Sequence, residues 1–488
     1  MTRGVVATPH RLASEVGAQI LRDGGNAIDA AIAADAVLCV VYPHMTSIGG
    51  DLMAIVWPAD ETTPVGLIGA GRSGEHATID AVRERGHKAM PERGVLTVTI
   101  PGTVEAWGRL LERFGSFGLG AVLEPAAAMA RDGYVITPQL SDFLMAAAGW
   151  LGREPAAYAL YPPMEPGMLL RNPDLAAVLR EIGHSGINGF YRGDIAKAIV
   201  AAIERRDGLI TARDFATHHS QWVEPVAFQY RDAVIYELPP PTQGLAAAAM
   251  LLRLQAGQSF REARDSSYAL RDRFITDPDF SPAPVEPFLD PLHTASAAPS
   301  VREGGDTCYL CTADEHGNLV SMIQSVAFDF GSGIVAEGTG MLLQNRGCYF
   351  SLDPAHVNRL EPRKRTMHTL IPAMASRDSR PWLAFGAMGG DGQPQIQAQV
   401  ARNLIDEGLS PEEAVSRPRR RILADGQTLA IEADFPGAAE MSHQDRSVQL
   451  MPPRNHIFGH AQAIAVDGPG QWRGGADPRS DGSVESVR

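Results

Sequence analysis

Cysteine and basic residues are both scarce in this chain of 488 residues. Four cysteines are too few for disulfide bonds to stabilise a protein of this length, so we do not expect a disulfide-built scaffold. The 57 Asp and Glu residues outnumber the 43 Lys and Arg residues, which gives a formal net charge of −14. Such a surface repels phosphate backbones, and we therefore expect no nucleic acid as a partner.

A hydrophobic run long enough to cross a bilayer is also missing. The most apolar segment, residues 27–41, is shorter than a membrane span and carries Asp29 and Asp35. We interpret it as a buried, alanine-rich helix. The first residues contain no charged stretch followed by an apolar one, so we expect no signal peptide, no membrane partner and a cytoplasmic location.

Metal-binding patterns are limited to one weak signal. Cys308 and Cys311 form a Cys-x-x-Cys pair, a spacing that occurs in redox and zinc sites. The chain has no second pair of this kind and no suitably spaced histidine pair. The residues around the two cysteines are typical of a strand, which would place the two thiols on opposite faces. We therefore expect no metal and no cofactor.

The pattern along the chain predicts a mixed α/β protein with its helices concentrated towards the N-terminus. The periodicity of apolar residues predicts helices over residues 13–22, 27–41, 104–114, 175–182 and 244–254. Strands are predicted over residues 4–7, 52–57, 65–68, 373–375 and 382–387. Residues 277–300 are rich in proline and show little periodicity, which indicates an irregular, mobile connector.

The proline-rich connector ends in Gly-Gly-Asp just before Thr307, where a β-hairpin with strands over residues 307–313 and 319–326 begins. A flexible run that meets a hairpin is a place where a peptide bond can be strained and cut. Cleavage before Thr307 would free an α-amine with a pKa of about 7.7 beside the threonine hydroxyl. Thr307 would then supply both the nucleophile and the general base. We identify no separate Ser-His-Asp set.

Segments along nearly the whole chain resemble those of one known family. They include the Gly-Gly-Asp run that ends at Asp51, the Asp-Thr junction at Thr307 and the glycine pair Gly389-Gly390. The full set, in chain order, comprises residues 4–10, 21–31, 49–51, 98–104, 271–279, 305–309, 331–335, 364–365, 368–369, 388–390 and 475–479. On these segments the chain is similar to the γ-glutamyltransferase (γ-glutamyltranspeptidase) family of N-terminal-nucleophile hydrolases, as a divergent branch.

The resemblance implies the fold and the domain organisation. The expected fold is α+β, a four-layer αββα sandwich in which two stacked sheets lie between helical layers. The expected proenzyme cuts itself between Asp306 and Thr307. Residues 1–306 would become a large subunit and residues 307–488 a small one, together forming one structural domain. The two subunits would stay partners, with a dimer of these heterodimers as an open alternative.

The same resemblance implies catalytic roles for four residues. Thr307 would be the nucleophile, and the hydroxyl of Ser325 would support it. The backbone N–H groups of Gly389 and Gly390 would bind the tetrahedral oxyanion, because glycine has no Cβ to block the approach.

Substrate-binding roles follow for three further residues. Arg72 would grip the carboxylate of the substrate, which a guanidinium can do through two parallel hydrogen bonds. Thr369 keeps a hydroxyl at one of two adjacent serine positions that assist this grip, and His368 replaces the other.

Three positions that hold the α-amino group of glutamyl substrates in transpeptidases have changed. They are Ala327, Arg346 and Tyr349 here. An ammonium group would have no obvious partner among these residues, and burying it unpaired costs several kcal/mol. Either Asp329 or Glu337 supplies a replacement acid, or the pocket takes a donor without an ammonium group.

We therefore expect an acyl hydrolase or acyltransferase with a small-molecule substrate. The acyl group of an amide-type bond would move to Thr307 and then to water, from an anionic donor of the glutaryl or oxalyl kind that lacks the α-amino group. Three alternatives remain open. They are a genuine γ-glutamyl hydrolase or transpeptidase acting on glutathione-like compounds, a C–C bond hydrolase of a biosynthetic pathway, and an unprocessed homologue without catalytic activity.

Overall fold

The computed structural model of the protein describes residues 3–293, 295, 301–302, 304–445, 447–468 and 470–488, with the backbone alone for residues 306 and 444. Residues 294 and 296–300, in the last part of the proline-rich connector, lie outside the described residues.

Strands are spread over the whole length of the described chain. Their bounds are β1 Gly4–Thr8, β2 Asp51–Trp57, β3 Val65–Gly69, β4 Tyr134–Val135, β5 Leu169–Leu170, β6 Gln221–Val223, β7 Val226–Tyr230, β8 Ala233–Glu237, β9 Asp306–Asp314, β10 Leu319–Ala327, β11 Val335–Ala336, β12 Met341–Leu342, β13 Ala373–Arg377, β14 Arg380–Ala387, β15 Arg420–Ile422, β16 Leu429–Glu432, β17 Val448–Met451, β18 Ala461–Gly468, β19 Gln471–Ala476 and β20 Ser483–Val487.

Helices are concentrated before Thr307, as the sequence predicts. Their bounds are α1 Arg11–Arg22, α2 Ala27–Val41, α3 Ile79–Glu84, α4 Thr103–Phe114, α5 Leu119–Asp132, α6 Pro138–Leu151, α7 Pro155–Leu160, α8 Pro173–Arg192, α9 Asp194–Glu204, α10 Ala212–Ala216, α11 Gly244–Gln255, α12 Phe260–Phe274, α13 Glu286–Leu289, α14 Gln393–Ile405, α15 Pro411–Ser416 and α16 Ala438–Gln444.

Two large antiparallel sheets form the centre of the protein. The strand order is β20-β1-β9-β10-β2-β3-β6 in the first sheet and β19-β18-β14-β13-β8-β7 in the second. Their facing sides share one apolar core, to which Val5, Met53 and Ile323 contribute from the first sheet and Met374 and Ile464 from the second. The two sheets are therefore stacked face to face.

Helices cover the outer face of each sheet. The apolar residues of α2 and α4 pack against outward-facing residues of the first sheet such as Leu52 and Val56, and α5 packs on α2. Residues of α11 and α14, including Met250 and Ile396, pack against the second sheet. The layers run helix, sheet, sheet, helix, so the predicted αββα sandwich is confirmed.

The alanine-rich segment is a fully buried helix, as predicted. Asn26 caps the N-terminus of α2 by accepting hydrogen bonds from the backbone N–H groups of Ile28 and Asp29, at 2.9 and 3.1 Å. The Asp29 carboxylate accepts in return from the backbone N–H of Asn26 at 2.9 Å, which completes a capping box. No described helix is long and apolar enough to cross a membrane.

Strands from before and after Thr307 alternate in the first sheet. The hairpin β9–β10 lies between β1 and β2, and β20 pairs with the other edge of β1. Residues before and after the expected cleavage point therefore share backbone hydrogen bonds and a core. Two segments joined in this way would stay together if the chain were cut between them.

The predicted helices and strands agree with the structure within a few residues, with two differences. The helix predicted over residues 175–182 is only part of α8, which continues through a kink at Gly186 to Arg192. The described part of the proline-rich connector, residues 277–293 and 295, is largely irregular as predicted, yet it contains α13, whose Phe288 is fully buried. Proline at the second position of α13 is compatible with a helix start, because that residue needs no intrahelical N–H bond.

The Cys-x-x-Cys pair lies on β9, and its two thiols face opposite sides as predicted. Cys308 packs in the core between the first sheet and its helices, whereas Cys311 packs between the two sheets. Among the described residues, no group of three or more His, Cys, Asp or Glu side chains could hold a metal ion. The absence of a metal and a cofactor stays a prediction.

Candidate active site

The hairpin β9–β10 places Thr307 inside the protein. The turn between the strands is held by the Asp314 carboxylate, which accepts from the backbone N–H groups of His316, Gly317 and Asn318 at 3.0 to 3.1 Å. At the other end of the hairpin an irregularity in β10 between Gln324 and Ala327 interrupts the ladder. Thr307 lies at this end and is 1% exposed.

A chain of hydrogen bonds connects Thr307 to a guanidinium. The Thr307 hydroxyl donates to Ser325 Oγ at 3.3 Å, and the same Oγ accepts from the backbone N–H of Ala327 at 2.8 Å. Arg346 donates from one terminal nitrogen to Ser325 Oγ at 3.3 Å and from the other to Thr369 Oγ1 at 2.8 Å. A negative charge that develops on the Thr307 oxygen would therefore lie two hydrogen bonds from a cation.

Arg346 is a buried cation without an acidic partner among the residues that the structure describes. Its side chain is fully buried in a 3₁₀ turn, Arg346–Tyr349. The buried Arg271 and Arg419, in contrast, form ion pairs with Asp391 and Asp477 at 2.7 and 2.6 Å. Among the described residues, only hydroxyl groups accept hydrogen bonds from Arg346, and its Nε has no partner. A buried charge of this kind is costly unless something pairs with it.

Tyr349 and Ala327 form an apolar wall beside this guanidinium. The Tyr349 ring lies 5.3 Å from the Arg346 guanidinium carbon and stacks on Phe328 with 6.0 Å between ring centres. Both Tyr349 and Ala327 belong to one apolar cluster. Burial raises the pKa of Tyr349 well above its usual value, so its hydroxyl is neutral at pH 7. The side chains of the wall offer no acceptor for an ammonium group other than this buried hydroxyl.

The glycine pair Gly389-Gly390 lies against the segment that precedes Thr307. A Cβ on Gly390 would lie 2.4 Å from the carbonyl oxygen of Gly304, and a Cβ on Gly305 would lie 2.6 Å from the Cα of Gly390. Gly305 and Gly390 also have positive φ angles of 102° and 52°. Only glycine fits both positions, because any side chain would be strained and would clash. Helix α14 begins three residues beyond Gly390 and directs its N-terminus, with its partial positive charge, towards this region.

Gln243 connects the glycine pair to the backbone of Thr369, whose hydroxyl contacts Arg346. Its side-chain nitrogen donates to the carbonyl oxygens of Thr369 and Gly390 at 3.3 and 3.0 Å. Its oxygen accepts from Arg271 at 3.1 Å. The two halves of the candidate site are therefore held in one network.

His368 pairs with Asp51 behind the site. Its Nε2 lies 3.0 Å from a carboxylate oxygen of Asp51, and its Nδ1 accepts from the backbone N–H of Leu370 at 3.4 Å. These two contacts place the imidazole proton on Nε2. Burial and the positive charge of Arg346 lower the pKa of His368 to about 4, against a smaller opposing effect of Asp51. The ring is therefore neutral at pH 7 and adds no second positive charge beside Arg346.

Asp51 is a buried carboxylate that holds several site segments in place. One oxygen accepts from the backbone N–H groups of Gly71 and Gly102 at 2.9 and 3.1 Å, and from the side-chain nitrogen of Gln344 at 2.9 Å. The other faces His368, and in the ladder Asp51 lies opposite Ser325. These contacts position the segments that carry Arg72, Arg346 and Thr369.

A cavity of about 400 Å³ adjoins the site on the far side of Tyr349. Tyr349 and Met367 form part of its wall, together with Asp391, which follows the glycine pair. Arg302, a few residues before Thr307, also contributes to the wall, and its guanidinium carbon lies 5.7 Å from the Tyr349 ring. Small molecules can therefore approach within one side chain of Arg346.

Arg72 is engaged elsewhere in the structure. Its terminal nitrogens donate to the carboxylates of Asp277 and Asp279 at 3.0 and 2.8 Å. Arg365 binds the same two carboxylates, at 2.6 and 3.1 Å. The structure therefore does not bring Arg72 into contact with the cluster around Thr307, and its role as the carboxylate grip stays a prediction.

The replacement acids considered for an ammonium site do not face the nucleophile cluster. Asp329 forms an ion pair with Arg93, whose guanidinium also lies over the Trp150 ring. Glu337 is an exposed residue that pairs with Arg205 at 3.0 Å. The structure therefore contradicts the alternative in which Asp329 or Glu337 lies beside Arg346, because each of these acids is paired with another arginine.

The structure thus unites most of the residues predicted from the sequence. Thr307, Ser325, Arg346 and Thr369 form one hydrogen-bonded cluster, and Tyr349 packs on it. Gln243 links Gly390, the neighbour of Gly389, to Thr369 of this cluster, and His368 directly precedes Thr369. The role of Asp51 was missed, although a carboxylate at the start of an apolar strand is a signal for a buried polar contact. Gln243 and Gln344 carry no comparable signal.

Comparisons with known proteins agree over the full length of the chain. A sequence model of the Gamma-glutamyltranspeptidase family matches residues 13–487. The chain belongs to this family. It is 36% identical to the glutathione hydrolase-like YwrD proenzyme of Bacillus subtilis (strain 168), over 100% of this chain and 99% of the relative. It is 34% identical to the oxamate amidohydrolase proenzyme of Klebsiella pneumoniae, over 99% of this chain and 98% of the relative.

A solved structure confirms the fold assignment within the gamma-glutamyltranspeptidase family. The cephalosporin acylase from Bacillus halodurans superimposes with a TM-score of 0.91 and 36% identity, covering 99% of this chain and 96% of that one. Together with the family match, this similarity identifies the chain as an enzyme of the N-terminal-nucleophile hydrolase and acyltransferase class.

Replacement of Asp51 tests whether this carboxylate holds the site together. In Asp51→Ala, two backbone N–H groups and two side chains would lose their acceptor. Each buried donor left unpaired costs about 1–3 kcal/mol, so we expect a clearly lower midpoint in thermal unfolding. The exposed Asp60 supplies the control variant Asp60→Ala, which should unfold like the unchanged protein. Equal midpoints for the two variants would contradict the role given to Asp51.

Proposed function

We propose that the protein is a proenzyme that cuts itself between Asp306 and Thr307 and then hydrolyses an amide-type acyl bond. The donor in this proposal carries a carboxylate and lacks an α-ammonium group. The observation that carries it is Arg346, a buried guanidinium two hydrogen bonds from the Thr307 hydroxyl and without an acidic partner among the described residues.

The charge of Arg346 favours a carboxylate over an amine. A carboxylate of the donor would supply the missing counter-charge through two parallel hydrogen bonds, which are stronger than neutral ones. An ammonium group at the same place would be repelled by the guanidinium and would meet only the apolar wall of Ala327 and Tyr349. Binding of a γ-glutamyl donor would therefore leave one charge buried and unpaired.

Self-cleavage would follow from the position of Gly305, two residues before Thr307, against Gly390. The Thr307 oxygen attacks the carbonyl carbon of Asp306, and the peptide C–N bond breaks. The acyl group of Asp306 moves to the threonine oxygen as an ester, while the hydroxyl proton ends on the released α-amine. Water then hydrolyses this ester, which leaves a carboxylate on Asp306 and a free hydroxyl and amine on Thr307.

Turnover would use the new α-amine of Thr307 as general base. The amine takes the hydroxyl proton while the oxygen attacks the donor carbonyl, and the backbone N–H groups of Gly389 and Gly390 receive the oxyanion. The amide C–N bond breaks, and the leaving amine takes the proton back. Water, activated by the same amine, attacks the ester and releases the acid. The Ser325 hydroxyl forms hydrogen bonds with both Thr307 and Arg346, and it would hold the Thr307 oxygen in position in both steps.

The relatives support this class of reaction and leave one competing function. The oxamate amidohydrolase and the cephalosporin acylase carry names of amide hydrolases. The similarity to a glutathione hydrolase-like protein favours γ-glutamyl hydrolysis as the second candidate. That function would need an acid near Arg346, which the described residues do not provide.

The proposed maturation also defines the assembly. Residues 1–306 and 307–488 would form a large and a small subunit that stay together, because β9 and β10 lie between β1 and β2. We propose a cytoplasmic enzyme whose partners are small molecules and its own second subunit, without nucleic acid.

Maturation is tested by intact-mass measurement of the purified protein. We expect one piece that ends at Asp306 and one that begins at Thr307. Thr307→Ala should stay whole and inactive, because it has no oxygen to attack the preceding carbonyl. Ser325→Ala should mature more slowly, since the nucleophile loses its hydrogen-bond partner. A single full-length species with full activity would contradict the proposal and favour an unprocessed homologue or another mechanism.

Anchoring is tested by comparing arginine variants on one carboxylate-bearing amide donor. Arg346→Gln should lower kcat/KM, because the buried carboxylate of the donor loses its charged partner. The expected loss of transition-state stabilisation is about 2–5 kcal/mol. The exposed Arg205, which pairs with Glu337, supplies the control Arg205→Gln, expected to match the unchanged enzyme. A gel confirms that each variant is cut. If kcat/KM falls in Arg72→Gln and is unchanged in Arg346→Gln, the result would contradict the role of Arg346 and assign carboxylate binding to Arg72.

A further inference from the structure

A small cavity lies towards the C-terminal end of helix α14, apart from the candidate active site. Its volume is about 170 Å³, and Arg402, Arg417 and Arg420 all contribute to its wall. Helix α14 begins at Gln393, three residues beyond the glycine pair, and Arg402 lies nine residues later, about 14 Å along the helix axis. The cavity therefore shares a helix with the glycine pair but lies at the other end of it.

We propose that this cavity binds a phosphate group, either as the free ion or as the end of a phosphate ester. Neither Thr307 nor Arg346 contributes to its wall, so the site would exist whether or not the protein has the proposed function. Three features support the assignment. They are a guanidinium without an anionic partner, an excess of positive charge around it, and the small size of the cavity.

Arg420 is a partly buried cation held between two aromatic rings. Its guanidinium carbon lies 4.6 Å from the centre of the Phe260 ring and 5.4 Å from that of Phe435, and both rings line the cavity. The rings attract the charge but leave the N–H groups without conventional acceptors. Gln399 accepts from the backbone N–H of Arg420 at 3.1 Å, whereas the guanidinium forms no hydrogen bond with a described residue. Burial, and after it the positive charge of Arg402, lowers the pKa of Arg420, yet a guanidinium stays protonated at pH 7.

The charges around this guanidinium leave a positive excess. Arg402 pairs with Asp406 at 3.2 Å, and Arg417 pairs with Glu407 at 3.2 Å. Asp406 also pairs with Arg231 at 3.3 Å, so that one carboxylate serves two arginines. Four guanidinium groups in this region therefore share two carboxylates. An anion in the cavity would reduce the repulsion among these cations.

A phosphate group matches the cavity in charge, shape and size. At pH 7 a phosphate ester carries a charge of about −1.5 to −2 and offers three strong acceptor oxygens. A guanidinium can bind two of these oxygens through parallel hydrogen bonds. The side chains of Arg402 and Arg417 are 44% and 46% exposed, and they can add charge without being fully desolvated. The cavity is too small for most organic ligands, which occupy about 300 Å³ or more.

The test is a calorimetric titration of the purified protein with sodium phosphate at low ionic strength. We expect one phosphate per chain, bound at least about tenfold more tightly than acetate, which has a single charge. Arg420→Gln should weaken phosphate binding at least about tenfold, and Arg402→Gln should weaken it to a smaller extent. The control is Arg377→Gln, because Arg377 lies 3.4 Å from the Trp382 ring centre but already pairs with Asp232 at 3.0 Å. This control should bind phosphate like the unchanged protein.

The source of the phosphate group is distinguished by a second titration with phenyl phosphate. Equal affinity for phenyl phosphate and inorganic phosphate would support an ester as ligand, whereas binding of inorganic phosphate alone would support the free ion. Thermal unfolding checks that each variant is folded, and Arg402→Gln decides the test if Arg420→Gln is not.

Four results would overturn the assignment. The first is that the unchanged protein binds no phosphate, and the second is that it binds acetate equally well. The third is that the folded Arg420→Gln and Arg402→Gln both bind phosphate like the unchanged protein. The fourth is a loss of binding in Arg346→Gln without a loss in Arg420→Gln, because the phosphate would then lie in the candidate active site.

Discussion

The guanidinium of Arg346 is buried next to the hydroxyl cluster of Thr307, Ser325 and Thr369, and no acidic side chain among the described residues balances its charge. A protein can tolerate such a cation only if other groups hold it in place or a ligand pairs with it. Both conditions shape this site. The hydroxyls orient the guanidinium, and the unused N–H groups are left for an anion. The same charge explains why an ammonium-bearing donor is a poor match.

The fold supplies the rigid frame that this arrangement needs. Ser325 lies on β10, opposite Asp51 on β2, and Asp51 binds the backbone beside Arg72 and the side chain of His368. Because burial and Arg346 keep His368 neutral, the Asp51–His368 pair positions Thr369 without adding a positive charge. The αββα core places hairpin β9–β10 between strands of the preceding segment, so a cut before Thr307 would free an amine while leaving the site assembled.

Local features of the site could be predicted from the sequence, whereas its long-range contacts could not. The hairpin after the Gly-Gly-Asp run, the helix at residues 27–41 and the opposite faces of Cys308 and Cys311 depend on neighbouring residues, and all were confirmed. The pairing of Arg72 with Asp277 joins residues 205 positions apart. The pairing of His368 with Asp51 joins residues 317 positions apart. Spacing cannot reveal such contacts, because only the packing of the two sheets brings the residues together.

The most direct test of the central claim compares two donors that differ only in the α-amino group. These are γ-glutamyl p-nitroanilide and glutaryl p-nitroanilide, measured as kcat/KM with the matured enzyme near pH 7. If Arg346 binds the donor's carboxylate beside an apolar wall, the glutaryl compound should be preferred by at least about tenfold, since an unpaired buried ammonium is costly. A tenfold or greater preference for the γ-glutamyl compound would contradict the account and require an acid beside Arg346.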